Sequence, residues 1–82
     1  MNIPGWDFLD PEQKAVVRWQ YRMDGGFHTA LWYAIRSADD DNLAKLAKGF
    51  PSEVNGYLEY TRTPGWWDAT KRIAGGDVEK GS

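Results

Sequence analysis

Any chemistry in this chain rests on few side chains: one histidine, three consecutive acids, two glycine pairs, a short basic series and five tryptophans. His28 has no Asp, Ser or Cys at a nucleophile-activating spacing and no metal-pair spacing, so it reads as a structural or solvent-facing residue. Asp39-Asp40-Asp41 suggests calcium, but an EF-type loop needs oxygen ligands at its first, third and fifth positions and Gly at its sixth. Leu43 and Ala44 fill the last two. These acids instead suit a helix N-terminus, where free backbone N–H groups and the helix dipole favour negative charge. Gly25-Gly26 and Gly75-Gly76 lack the surroundings of a phosphate-binding loop. With no cysteine, the sequence offers no thiolate nucleophile, disulfide or zinc–thiolate site. The expectation is a protein without catalysis, cofactor or metal.

Binding chemistry is better represented. Lys14, Arg18 and Arg22 fall at i, i+4, i+8 and form a basic stripe, with Asp10 placed to pair with Lys14. A solvated face is the common meaning of such a stripe; the functional one is a contact for an acidic protein surface or for phosphates. Among the tryptophans, Trp19, Trp66 and one of Trp6 or Trp67 are readily accommodated in a core. Trp32 points away from the aliphatic stripe of its own helix, beside Arg36 and Tyr33. It either packs under one of the two Pro-Gly-Trp segments (Pro4–Trp6, Pro64–Trp66) or anchors a partner, since Trp, Tyr and Arg are enriched among interface hot spots. The candidate partner-binding residues are Trp32, Tyr33, Arg36, Lys14, Arg18, Arg22 and Trp67, with most indoles acting as staples between the chain ends and the core.

The elements that must position these residues are helical. Asp10-Pro11-Glu12-Gln13 combines an N-cap acid, a proline at the first helical position and a Gln that closes a capping box, with Phe8 or Leu9 as a hydrophobic staple. The helix that follows should bury Val16, Trp19, Gln20 and Met23 and stop at Asp24-Gly25-Gly26. Phe27, Ala30, Leu31, Ala34, Ile35 and Ala38 predict the stripe of a second, central helix. Capping at Asp39–Asn42 opens a third, with Leu43, Leu46, Ala47 and Phe50 inward and Lys45 and Lys48 in water. A fourth runs from Pro51 or Ser52 with Val54, Tyr57, Leu58 and Thr61 inward, although Gly56 within it costs about 1 kcal/mol relative to Ala. A last short helix, near Trp66 to Ala74, buries Trp66, Ala69, Thr70 and Ile73. No run alternates with period two. The predicted fold is all-α: a compact bundle of four short helices plus a short C-terminal helix, one domain over residues 1–75, and a flexible tail over 76–82.

Composition bounds the rest. Eighty-two residues hold one small core, and at 15 % aromatic content large rings must build it, each burying roughly 150–250 Å². Net charge −2 argues against a nucleic-acid or anionic-membrane partner. The N-terminal "MNIPGWDFLD" has no basic segment followed by an apolar run, which predicts an untargeted, cytoplasmic chain.

Phe27 to Trp67, with "TALWYAI", "DNLAKLAKGFPSEVNGYLEY" and "PGWW", resembles short, functionally uncharacterised proteins carried by phages and prophages. The resemblance covers about half the chain, and its motifs are structural punctuation. It implies no catalytic residues. It implies a small factor made in an infected or lysogenic bacterium, which acts by binding a host or phage protein, including defence machinery. The expected function is therefore a non-catalytic protein-binding module, monomeric or weakly dimeric, in the host cytoplasm; the alternative is a helix-turn-helix-like nucleic-acid-binding regulator.

Overall fold

The computed structural model describes residues 3–76. A 3-10 turn over Trp6–Phe8 leads into five helices: α1 (Pro11–Gln20), α2 (Gly26–Ser37), α3 (Asp40–Gly49), α4 (Pro51–Arg62) and α5 (Trp66–Ala74). No strand occurs among the described residues, and the architecture is the expected all-α bundle. Only Gly76 of the expected tail falls within the described residues.

The starts of α1 and α3 follow from their caps. Asp10 accepts a hydrogen bond from the Gln13 N–H at 2.7 Å, and the Asp10 N–H donates to Gln13 Oε1 at 3.0 Å, which completes the capping box. The same Gln13 side chain donates through Nε2 to the hydroxyl of Thr70, 3.2 Å away and fully buried, so one residue both caps α1 and ties it to α5. Asp39 caps α3 by accepting from the Asn42 N–H at 2.9 Å.

The end of α1 differs from the expectation. The helix stops at Gln20, four residues before Asp24-Gly25-Gly26. Met23 N–H donates to the Arg18 carbonyl at 2.8 Å and Arg22 N–H to the Trp19 carbonyl at 3.2 Å. These are the two bonds of a Schellman cap. The left-handed position that Gly normally fills is held by Arg22, at φ 57°, a conformation that costs a non-glycine residue roughly 1–2 kcal/mol. Met23 consequently lies beyond the helix and is exposed rather than inward.

Helix α1 lies against α4 and α5. A Cβ at Gly56 of α4 would stand 2.8 Å from the Glu12 carbonyl oxygen and 2.9 Å from Val16 Cγ2. The glycine expected to weaken α4 is thus the point at which two helix backbones meet. The principal core joins Ala15, Val16, Leu31, Trp32, Ile35 and Val54, surrounded by half-buried rings that include Trp19, Tyr57 and Tyr60. A second cluster holds Leu9, Val17 and Ala74, with Ile3, Trp6, Trp67 and Ile73 against it. Trp6 and Trp67 are both engaged there, and Trp67 also packs on the principal core. Gly5 lies against the end of α5, where its N–H donates to the Ala74 carbonyl at 3.0 Å and a Cβ would collide with the Ile73 carbonyl.

Helix α2 is turned relative to its predicted stripe. Leu31, Trp32 and Ile35 are buried, whereas Phe27, Ala30 and Ala34 face out. Trp32, expected off the buried side and offered as an interface anchor, is 2 % exposed. The reason is area: one indole removes far more apolar surface from water than two alanine methyls, so the helix rotates to bury the ring. In α4, Thr61 is exposed rather than inward, and its hydroxyl donates to the Tyr57 carbonyl at 2.9 Å. The molecule spans 40 × 26 × 17 Å. At that thickness helices keep much of their surface in water, and α3 has no fully buried residue.

Candidate functional site

The connection from α1 to α2 is organised by Asp24, whose side chain is only 10 % exposed. Trp32 donates its indole N–H to Asp24 Oδ2 at 3.2 Å, and Arg18 Nε sits 3.5 Å from Oδ1. Both carboxylate oxygens are therefore engaged, one by the core and one by α1. Trp32 stacks on Trp19 of α1, with centroids 4.5 Å apart and planes 7° from parallel. The stack extends edge to face through Tyr60 (5.4 Å) to Trp67 (5.6 Å) and on to Tyr21 (6.2 Å). This run of rings joins α1, α2, α4 and α5. Thr29 closes the first turn of α2 by donating to the Gly25 carbonyl at 3.1 Å.

Above the Trp19–Trp32 stack lies a cleft of about 370 Å³ lined by Trp19, Gln20, Arg22, Asp24, Thr29, Trp32, Tyr33 and Arg36. It gathers four of the seven candidate residues: Arg22, Trp32, Tyr33 and Arg36. Trp32 forms part of its buried base rather than a protruding anchor. Tyr33 is 70 % exposed. Among the described residues neither Arg22 nor Arg36 makes an ion pair. Asp24, the one carboxylate in the lining, is already shared between Arg18 and the indole N–H. The cleft thus presents two guanidinium groups without an ion-pair partner among the described residues, beside an open phenol.

The remaining candidates lie elsewhere. The expected stripe of Lys14, Arg18 and Arg22 does not form, because α1 ends before Arg22. The Lys14 ammonium and the Arg18 guanidinium both stand over the Trp6 ring, each 5.6 Å from its centroid. Such cation–π contacts hold the N-terminal segment on α1. Asp10 is engaged as the cap and makes no ion pair with Lys14. Trp67 lies outside the cleft, between the two clusters, with the Lys71 ammonium 5.8 Å above its ring.

Sequence reasoning missed Asp24, Gln20 and Thr29 as site residues. Asp24 reads as a turn residue before two glycines, and nothing in its spacing signals the Trp32 indole eight positions on. His28 is not in the cleft; its Nε2 lies 3.6 Å from Glu53 Oε2, linking α2 to α4. The arrangement can hold an anion and an aromatic or aliphatic neighbour. The carboxylate in its lining, Asp24, faces the Trp32 indole N–H and the Arg18 guanidinium. No helix of the described residues is long and apolar enough to cross a membrane. Comparison of the chain with protein-family models, with curated proteins and with solved structures finds no match.

Proposed function

We propose that this chain is a small non-catalytic protein-binding module, a phage or prophage accessory factor that engages a host or phage protein in the bacterial cytoplasm as a monomer or weak dimer. The observation that carries this reading is the α1–α2 cleft, in which an exposed tyrosine stands beside two arginines without an ion-pair partner among the described residues, on a stacked aromatic base. Tyr and Arg dominate interface hot spots because each combines a large apolar surface with directional polar groups. A partner side chain entering the cleft meets groups whose surroundings are already fixed by the indole stack and the Asp24 bonds, which lowers the entropic cost of association. The alternative, a helix-turn-helix-like nucleic-acid regulator, draws on short helices separated by Gly-containing turns and on the Lys14-Arg18-Arg22 stripe; its support is weaker because Lys14 and Arg18 stand over Trp6.

The test uses tagged wild type and Tyr33→Ala as bait in a bacterial lysate, with mass spectrometry and a thermal melt of each bait. The expected outcome is a protein retained by wild type and lost by Tyr33→Ala, with similar melting temperatures for the two baits. Identical captures from both baits refute the use of this face. Retention of the wild type on duplex DNA that falls steeply with salt favours the nucleic-acid reading.

A further inference from the structure

We infer that the cleft recognises a carboxylate side chain carried by an acidic segment of the partner, and that Arg22 is kept at a strained backbone position to make that contact. The inference rests on the protein-binding reading and names the chemistry of the partner. Four observations converge on it.

The first is the conformation of Arg22. The Schellman cap of α1 needs a left-handed residue, and glycine would supply it without strain. Arg22 is exposed and takes part in no ion pair of the described residues, so no charge pairing within the fold offsets the strain. Strain that stability does not explain points to a role for the side chain itself, and that side chain lines the cleft.

The second is charge. Arg22 and Arg36 bring into one cleft two guanidinium groups that have no ion-pair partner among the described residues, on a chain whose net charge is −2. Guanidinium groups present planar donor pairs that match a carboxylate in bidentate fashion. The third is size. A volume of about 370 Å³ admits one or two side chains, so the bound segment enters by its side chains.

The fourth separates an acidic peptide from a nucleic acid. Single-stranded nucleic acids need several open ring faces on which successive bases stack. Here one face of Trp19 and one face of Trp32 are covered by each other, and Trp32 is almost wholly buried, which leaves Tyr33 as the single largely open ring of the lining. One open ring suits one apolar side chain flanking the carboxylate.

The experiment selects a displayed library of random heptapeptides on immobilised wild type. The most enriched sequence is then synthesised with a fluorescent label and titrated against wild type, Arg22→Gly, Arg36→Gln and Lys48→Gln, alongside a labelled oligothymidylate. Enriched peptides should carry Asp or Glu next to an aromatic or aliphatic residue. Their affinity should fall about tenfold or more in Arg22→Gly and in Arg36→Gln, as expected for loss of a charge-assisted bidentate contact, and should be unchanged in Lys48→Gln. Arg22→Gly should also melt above wild type, so its loss of binding cannot come from unfolding. Enrichment of neutral or basic peptides, or of none, overturns the inference, as does equal binding by Arg22→Gly. Tighter binding of oligothymidylate than of peptide, lost in Arg22→Gly, overturns it in favour of a polyanion. If a lysate protein depends on Tyr33 but not on Arg22 or Arg36, the carboxylate inference fails while the protein-binding reading stands.

Discussion

Replacing Gly56 by Ala sets two opposed effects against each other, and the structure decides their order. In an exposed helix the change gains about 0.5–1 kcal/mol, because alanine loses less backbone entropy on folding. At Gly56 the new methyl would stand 2.8 Å from the Glu12 carbonyl oxygen and 2.9 Å from Val16 Cγ2. Valine could shift slightly, but the carbonyl belongs to the first turn of α1, which the capping box and the Gln13–Thr70 bond hold in place. The helices must therefore separate, which disturbs the packing of the principal core that Val16 and Val54 belong to. Overpacking of this kind costs roughly 1–3 kcal/mol, and a backbone obstacle places it in the upper half of that range. The net expectation is a loss of about 1–2.5 kcal/mol, or a fall in Tm of roughly 4–20 °C for a domain of this size. Gly49→Ala is the internal control, since a Cβ there meets nothing within 4 Å; its melting temperature should hold or rise. Thermal melts followed by circular dichroism at 222 nm measure both. A Gly56→Ala protein that melts at or above wild type would show that α1 and α4 do not meet at this point.

Trp32→Ala should lose roughly 3–5 kcal/mol, most of the stability of so small a domain, and a double-mutant cycle with Trp19→Ala should return a favourable coupling of about 0.5–1.5 kcal/mol from the stack; zero coupling in urea titrations would contradict the packing. Asp24→Ala should lose about 1–3 kcal/mol by stranding the Trp32 indole N–H. Asp24→Asn keeps an acceptor for that N–H and should lose less, with the residual difference from wild type shrinking as salt is raised. Burial, reinforced by the nearby charges of Asp10 and Glu12, raises the Glu59 carboxyl above its ordinary 4.5. The folded state therefore keeps this proton to higher pH than the unfolded chain, and stability falls as pH rises through the interval above 4.5. Glu59→Gln should accordingly melt higher than wild type at pH 7, with the advantage disappearing toward pH 4; an advantage that grows on acidification would reverse the sign.

The local grammar of the fold was legible in the sequence. Asp10 with Gln13, Asp39, Pro51 and the Thr63-Pro64-Gly65 stop each act through neighbours within a few residues, so their helix ends follow from local chemistry alone. The orientation of α2 was not legible. Phe27, Ala30 and Ala34 give a clean periodic stripe, but which side is buried depends on Trp19 arriving from another helix. The end of α1 was hidden for a related reason: two glycines at 25 and 26 are the better local stop, and an arginine in a left-handed cap has no sequence signature. The candidate site was legible in part. Tyr33 and Arg36 stood out beside Trp32, yet Arg22 was assigned to a helical stripe that the shortened α1 cannot contain, and Lys14 and Arg18 serve Trp6. Gly56 shows the same limit, since its reason lies in a helix some forty positions earlier.

The placement of α1 has a consequence for biosynthesis. Its apolar side, with Val16, Val17 and Trp19, is covered largely by α4 and α5, the last two helices of the described residues. The final residues of α4 follow Gln20 by roughly 40 positions, which is about 2–8 s of translation at about 5–20 residues per second. Throughout that interval α1 has no partner other than α2, and its sticky side is open to ribosome-bound chaperones. The cover of α1 is therefore completed only once α4 and α5 have been made, and a stop codon anywhere before α5 would release a chain whose first helix has lost part of its cover.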